Sequence, residues 1–443
     1  MADSKQTSEI AMQQIAFDPV DAKASLLQLP QCSAVFALYG AEAHAEPYIG
    51  RTPNLRGRLE RLLQPSAKFP RRLQLAGRVR RISWRLTGSD FESLLAQFYL
   101  QEAVYGAKAL ERMHLGAPAF IRYLGSNAYP RIAVTNRPSQ REAEWAYGPF
   151  QSRAAAERFA DEALKLFLLR RCTDELDPNP SHPGCVYSEM KMCLAPCYQG
   201  CSDARYGEEA AAVERFLATR GESSLVTLRT QRDAASANLE FEIAAALHAQ
   251  AVRVESVRAL APELVRPLAQ LRAVILQASA SAGEISLFLF ENGRLCGPHS
   301  FSTLGMRIQN EQSGSTSLFA HPTSLFAHPM TIEAIPEASI SVDAIAETTV
   351  SQTEATPMKL ARGALEARME AVLAALSNHS QPPSPILRQG HLALLKRWYY
   401  RPEARRAGEI FFPDAEGHWP IKALLRGVGR IAAKMLASGS ARS

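Results

Sequence analysis

The chain is predicted to fold as an α+β protein, because short strand-type runs come first, helix-periodic segments pack on them, and a second strand-rich stretch precedes a helical tail. Residues 1–30 are polar with scattered apolar positions and are expected to form a loosely held lead-in. AVFALY at 34–39 and PYIG at 47–50, separated by a polar turn, read as a hairpin. A basic helix is expected over 54–63. An arginine-rich segment follows, ending in the strand-like VRRISWRL, and an apolar-periodic helix then opens at Ser89 or Asp90. Residues 130–150 supply a strand, RIAVTN, and a turn, YGPF, before a helix over 152–170 that stops at the first of five cysteines within thirty residues. Residues 204–260 read as two helices broken near 221–224, and AVILQA, EISLFLF and ENGRLCGPHSF then form a strand-rich piece. The stretch 308–357 has six acids and no Lys or Arg, and it repeats TSLFAHP at 316–322 and 323–329. Two copies are too few for a solenoid, so it reads as a loop or linker. From 358 onward the tail is mainly helical.

Composition excludes several classes of protein. With 47% hydrophobic and 21% charged residues over 443 positions, the chain is neither disordered nor fibrous, and its length suggests about three domains. No window approaches the ~18 consecutive apolar residues of a membrane span. The start, MADSKQTSEI, lacks the basic and apolar runs of a signal peptide. A cytoplasmic protein without a membrane partner is therefore expected.

The net charge of +6 is unevenly placed. Residues 51–85 hold eleven cations, among them Arg51, Arg56, Arg58, Arg61, Arg71 and Arg72, against the single acid Glu60. That window carries +10, so the rest of the chain carries −4. A focused basic field suits phosphate backbones, because each neutralised phosphate releases condensed counterions, and guanidinium forks match phosphate geometry. DNA is the expected partner, with Arg56, Arg61, Arg71 and Arg72 as contacts.

Cysteine thiols stay reduced in the cytoplasm, so the cluster Cys172, Cys185, Cys193, Cys197, with Cys201 three residues beyond, points to metal ligation rather than to disulfides. Four soft thiolates suit tetrahedral zinc or an iron-sulfur cluster. The paired C-x2-C knuckles of a zinc ribbon are absent. Cys32 and Cys296 lie apart and are expected in the core.

Hairpin and basic helix together spell AVF and then YIGRTPNLRGRL, which resembles the GIY-YIG nuclease domain that opens the UvrC family of bacterial nucleotide excision repair. The resemblance continues in order through YPRIAV (129–134), YGPF (147–150), RRC (170–172), CLAPC (193–197), LEFE (239–242) and ENGRLCGPHSF (291–301). It implies a lead-in over 1–30, a small GIY-YIG sheet-and-helix domain over 31–125, a cluster-binding segment over 126–203 and a UVR-type helical hairpin over 204–260. A UvrC-homology piece over 261–307, the linker over 308–357 and a mixed C-terminal region over 358–443 complete the plan. In that family the first domain cuts 3′ of the lesion and a C-terminal RNase H-like domain cuts 5′. No aspartate-bearing pattern for the second is found here, so the chain resembles the shortened, single-nuclease members.

Phosphodiester hydrolysis needs a base near the attacking water, cations on the developing charge and a carboxylate-held metal. The resemblance assigns catalytic positions to Tyr48, Arg58 and Arg51, the last in place of a lysine. Phe36 stands where the first tyrosine belongs, Leu62 where a second-turn tyrosine is usual, Gln97 where the metal-binding glutamate aligns, and Ile121 at an asparagine position. A glutamine brings no anion to Mg²⁺. The expectation is a UvrC-like repair protein that binds damaged double-stranded DNA and UvrB, with the nuclease site weakened or lost. One alternative is an active endonuclease using Mg²⁺ or Mn²⁺ on Glu92 or Glu102, and another is a cluster-based redox-responsive regulator. The resemblance favours a 4Fe-4S cluster, with zinc the alternative, on Cys172, Cys185, Cys193 and Cys197. It also implies UvrB docking through Leu239, Phe241 and Leu247. GVGRIAAKML at 427–436 is similar to half of a helix-hairpin-helix, where glycine amides meet phosphate.

Overall fold

A computed structural model of the protein describes residues 11–42, 45–63, 75, 77–138, 146–173, 175–306, 308–309, 316–317, 356–378 and 383–440. The chain is mixed α and β. Its first unit is an antiparallel sheet of order β1-β4-β2-β3, built from β1 (Gln13–Ala16), β2 (Ala34–Gly40), β3 (Tyr48–Thr52) and β4 (Val79–Leu86), with helices α1 (Ala22–Leu27) and α2 (Leu55–Leu63). Residues 13–29, read as a loose lead-in, belong to this unit. β1 pairs with β4 from Gln13↔Trp84 to Ala16↔Arg81, and Phe17, Leu26 and Leu29 are buried in the same core as Phe36 and Trp84. Three scattered apolar residues suffice because a strand and a single helical turn each need only one or two anchors. In α2, Leu55, Leu59 and Leu63 recur at i, i+4, i+8 and are buried in this core, while Arg56 and Arg58 are half-buried and Arg61 is exposed.

Helix α3 (Asp90–Tyr105) opens at Ser89, whose hydroxyl accepts the Glu92 amide. It is apolar on more than one face, and such a helix is buried from several sides. Phe91, Leu94, Leu95 and Phe98 join Phe288, Phe290, Leu392 and Trp398 of the C-terminal part in one core. After the single turn α4 (Ala109–Arg112), a second sheet forms from β5 (Ala119–Tyr123), β6 (Ile132–Thr135) and β7 (Ala146–Phe150). YGPF is therefore a strand and not a turn. All five β7 residues are buried, and the ladder to β5 shifts register between Ala119 and Ile121, where Pro149 has no amide to donate.

Helix α5 (Arg153–Leu164) is capped by Ser152, ends before the expected Arg170, and leads into the cysteine segment with its single turn α6 (Val186–Glu189). Three helices follow where two were read: α7 (Asp203–Ala218), α8 (Glu222–Ala237) and α9 (Phe241–Ala259). The break at Gly221 was legible from glycine, with φ 78°. The break at Leu239, with φ 64°, was not, since a leucine rarely adopts the left-handed region. The helical hairpin is thus α8–α9 and not the whole of 204–260. β8 (Arg266–Pro267) completes the second sheet, of order β6-β5-β7-β8.

The third sheet takes β9 (Ala273–Ala278), β10 (Glu284–Glu291) and β11 (Arg294–Ser302) from the strand-rich piece. A two-residue pair, β12 (Ile308–Gln309) with β13 (Thr316–Ser317), follows, and the rest of the tandem repeat lies outside the described residues. The C-terminal tail forms α10 (Thr356–Ser377), α11 (Pro385–Tyr399), β14 (Glu409–Phe411) and α12 (Ile421–Ser440). β14 pairs antiparallel with β9, so the sheet order is β11-β10-β9-β14, and 261–307 and the tail form one unit rather than two. Val274, Leu276, Leu287 and Leu289 face α10 and α12, while Ile275, Phe288 and Phe290 face α3 and α11, which explains strands apolar at nearly every position. Two glycines let the first and third units touch. A Cβ on Gly390 would lie 2.0 Å from the Phe98 ring, and one on Gly88 would lie 2.2 Å from the Ser279 backbone. Among the described residues, no helix is long and apolar enough to cross a membrane.

Candidate functional site

The basic face of the first unit is built on β3 and α2. Phe36 pairs directly with Gly50 across β2–β3, and its ring occupies the space a Gly50 side chain would need. The Phe36 ring is buried, whereas Tyr48, two residues along the same face of β3 and 6.2 Å away between ring centroids, is half-buried. Arg51 is paired with Asp90 at the start of α3, and Arg401, just beyond α11, meets the other Asp90 oxygen at 2.6 Å. Burial opposes the Asp90 charge. The Arg401 hydrogen bond and the Arg51 and Arg401 charges outweigh it and hold the carboxyl below its ordinary range.

The predicted DNA-contacting cations do not behave alike. Arg56 is not a free cation: its Nε donates to the Leu29 carbonyl at 2.7 Å and Nη2 to the Leu27 carbonyl at 2.9 Å, closing the end of α1. Arg61 is exposed and donates to the Gly57 carbonyl one turn back. Arg58 has no side-chain partner among the described residues, which leaves it the most available cation of α2. Arg71 and Arg72 lie outside the described residues. Neither Asp90 nor Arg401 was singled out from sequence. Asp90 was legible only as a helix start, and nothing in the sequence placed Arg401 beside it.

The carboxylates proposed as metal ligands on α3 are differently occupied. Glu92 is buried and accepts the Gly88 amide at 2.9 Å, with Arg85 4.0 Å away; burial nevertheless pushes its pKa up. Glu102 is half-buried and its pKa is also raised by burial. Gln97 is half-buried, and one turn on the buried Gln101 has an unpaired Oε1. Leu62 packs against the apolar core, and Ile121 is fully buried in β5. Among the described residues, the only three metal-donor side chains with atoms all within 4.8 Å of one another are the exposed Asp414, Glu416 and His418, in the loop between β14 and α12.

Cys172, Cys185, Cys193 and Cys197 gather around Cys193. Burial pushes the Cys193 thiol up to about 11, and the other three thiols each add to the rise. The Ala195 amide donates to Cys193 Sγ at 3.3 Å, and Arg170 Nη1 to Cys172 Sγ at 3.7 Å. Cys201 responds instead to burial, Asp203 and Arg205, so it stands outside the group. No three of these sulfurs lie within 4.8 Å of one another. One tetrahedral zinc with bonds of about 2.3 Å needs sulfurs about 3.8 Å apart. The donor set fits soft-metal chemistry. Cys296 is buried as expected, whereas Cys32 is exposed and outside the core.

At the α8–α9 turn, Leu239 is 73% exposed, Phe241 65% and Ile243 52%, a contiguous apolar tip that gained Ile243 beyond the expected set. Leu247, one turn further, is half-buried. Arg229–Glu255 and Arg258–Glu222, both at 2.8 Å, tie the two helices together below the tip. The GVG at 427–429 does not start a helix. It lies within α12, with Val428 buried and Gly427 packed against Phe411 and Leu276, so its amides are spent inside the helix.

Residues 120–216, from β5 through α7, match a family described as "UvrC/Cho excinuclease, middle domain". The chain is 28% identical over 286 residues to the UvrABC system protein C of Alcanivorax borkumensis, covering 64% of this chain and 46% of that protein. It is 27% identical over 287 residues to that of Ruminiclostridium cellulolyticum, covering 63% and 46%, and 28% over 242 residues to that of Shigella dysenteriae, covering 54% and 41%. The chain therefore spans less than half the length of these relatives. No solved structure matches it.

Proposed function

We propose, from its similarity to UvrC proteins, that the chain is a UvrC-family member that acts in nucleotide excision repair as a DNA-binding and UvrB-binding subunit whose first nuclease site no longer cuts. The occupation of the α3 carboxylates carries this reading: Asp90 is held between Arg51 and Arg401, Glu92 binds the Gly88 amide, and the aligned metal position is Gln97. A hard divalent ion needs an available oxygen anion, and these positions offer none. The active-enzyme alternative rests on Glu102, five residues beyond the aligned position at Gln97 on the same helix. Damaged duplex would lie across Arg58 and its neighbours, and UvrB would take the apolar tip around Phe241, where an exposed aromatic is a natural hot spot.

The thiol quartet would hold a 4Fe-4S cluster. Four cysteines brought round Cys193 without the paired C-x2-C knuckles of a zinc ribbon support it, and the amide on Cys193 Sγ would stabilise the thiolate. Bound there, the cluster would tie the parts of the 172–197 segment to one another. It could also supply one-electron redox chemistry, which keeps the regulator alternative in view.

Incubating the full chain with UvrA, UvrB and lesion-bearing duplex in Mg²⁺ tests the reading. A retarded complex that needs UvrB, is weakened by Phe241→Ala and contains no incised strand is expected. Metal-dependent 3′ cutting abolished by Glu102→Gln would replace this reading with the active enzyme.

A further inference from the structure

A cleft of about 930 Å³ opens between α5, α7 and the lower half of the α8–α9 hairpin, and no residue of the first unit lines it. The charges around it are distributed unlike those elsewhere on these helices. Helices α5, α7, α8 and α9 carry eight arginines. Five have acidic partners: Arg153 with Glu157, Arg205 with Glu209, Arg229 with Glu255, Arg232 with Asp233 and Arg258 with Glu222. The remaining three, Arg158, Arg215 and Arg253, have no side-chain partner among the described residues, and all three line the cleft. None of the five paired arginines does. The one acid on the walls, Glu162, is taken by Lys165 at 2.7 Å. Three helices distant in sequence thus each bring one uncompensated guanidinium to one concavity. The half-buried Phe167, with Leu228 and Val257, supplies apolar lining to the same cleft, and its ring meets Phe216 edge to face at 5.4 Å.

We propose that this cleft is a second nucleic-acid site, which holds the phosphates of a single strand on Arg158, Arg215 and Arg253 and stacks a base near Phe167. The proposal rests on the DNA-binding reading above and adds a surface to it. Guanidinium groups bind phosphate by paired N–H donors, and an aromatic face in a basic groove is how a strand is held without reading its sequence. An acidic amphipathic helix would also meet a basic rim over an apolar floor. The cleft favours a strand, because its cations come from three separate helices and share the concavity with an aromatic side chain rather than flanking one straight apolar stripe. Arg253 lies twelve residues from Phe241 on α9, about 18 Å along the helix axis. A partner at the hairpin tip and a strand at its base can therefore be bound together.

The test is fluorescence anisotropy of a labelled single-stranded oligonucleotide with the full chain, titrated across salt. Arg158→Gln, Arg215→Gln and Arg253→Gln combined should weaken binding at least tenfold at moderate salt. They should also lower the log–log salt slope by about two, from three contacts at about 0.7 each. The control Arg153→Gln, Arg205→Gln, Arg229→Gln removes as many charges from α5, α7 and α8 outside the cleft and should change neither. All six residues are at the surface, so unchanged thermal unfolding confirms that each protein is folded. Unaltered binding by the cleft variant, with the slope still lowered by Arg58→Ala, overturns the cleft and leaves the first DNA surface standing. No binding of the single strand by the unmodified chain overturns the cleft, and no binding of a labelled duplex in the same assay overturns the first surface. Retained DNA binding with lost UvrB binding overturns the strand and assigns the cleft to a protein.

Discussion

Arg401, just past the last turn of α11, reaches the first turn of α3 and meets Asp90 at 2.6 Å, on the carboxylate that also pairs with Arg51. One acid thus links the C-terminal unit to the β3 arginine that family resemblance places in the nuclease site. The consequence is twofold. Arg51 is neutralised where a phosphate would need it, and the first unit is anchored to the third at a point reinforced by Gly88 and Gly390.

This linkage has a pH signature. The folded pKa of Asp90 lies below its unfolded value, so its contribution to stability is fully present above about pH 4 and is lost as pH falls through the folded pKa. Asp90→Asn should lower the melting temperature at pH 7, and the gap to the unmodified protein should close below pH 4. Melting followed from pH 2.5 to 7 checks this, and a gap of constant size across that range would contradict it.

The two arginines Arg56 and Arg58 should separate stability from DNA binding. Arg56→Ala removes two donors from the α1 carbonyls and should cost about 1–2 kcal/mol of stability with no change in salt slope. Arg58→Ala should leave stability unchanged and lower the slope by about 0.9, one phosphate contact. Urea titration and duplex binding across salt measure both.

For the thiols, the anaerobically purified protein should be brown and hold about four iron and four sulfide per chain. Cys193→Ser should abolish the colour, and Cys201→Ser should keep it, since Cys201 stands apart from the quartet. One equivalent of zinc in a colourless protein would put the single ion in place of the cluster.

Restoring the missing chemistry should restore cutting. Phe36→Tyr would carry a hydroxyl to the ring tip lying over Gly50, and Gln97→Glu would return a carboxylate to α3. The pair should recover measurable 3′ incision on UvrB-bound damaged DNA, and Tyr48→Phe in that background should remove it. Since each ~1.4 kcal/mol is tenfold in rate, even partial recovery is visible on a gel.

Local chemistry made much of this chain legible. The β2–β3 hairpin, the leucine spacing of α2, the Ser89 and Ser152 caps and the cysteine spacing follow from residues close in sequence, where periodicity and capping act directly. The break at Leu239, the strand at YGPF and the early ordering at Gln13 did not follow, because each opposes or barely expresses a local preference and exists through burial or pairing with distant chain.

The sequence by itself determined where cations, thiols and apolar tip residues occur, and their family resemblance. Tertiary structure alone decided which of them are free. Arg56 is consumed by α1, Arg51 by an acid that Arg401 shares, Glu92 by a backbone amide, while Arg158, Arg215 and Arg253 converge unpaired on one cleft. The reason is physical. A side chain's charge is set by its own atoms, but its availability depends on which groups the folded chain brings within a few ångströms, and those partners lie up to several hundred residues away.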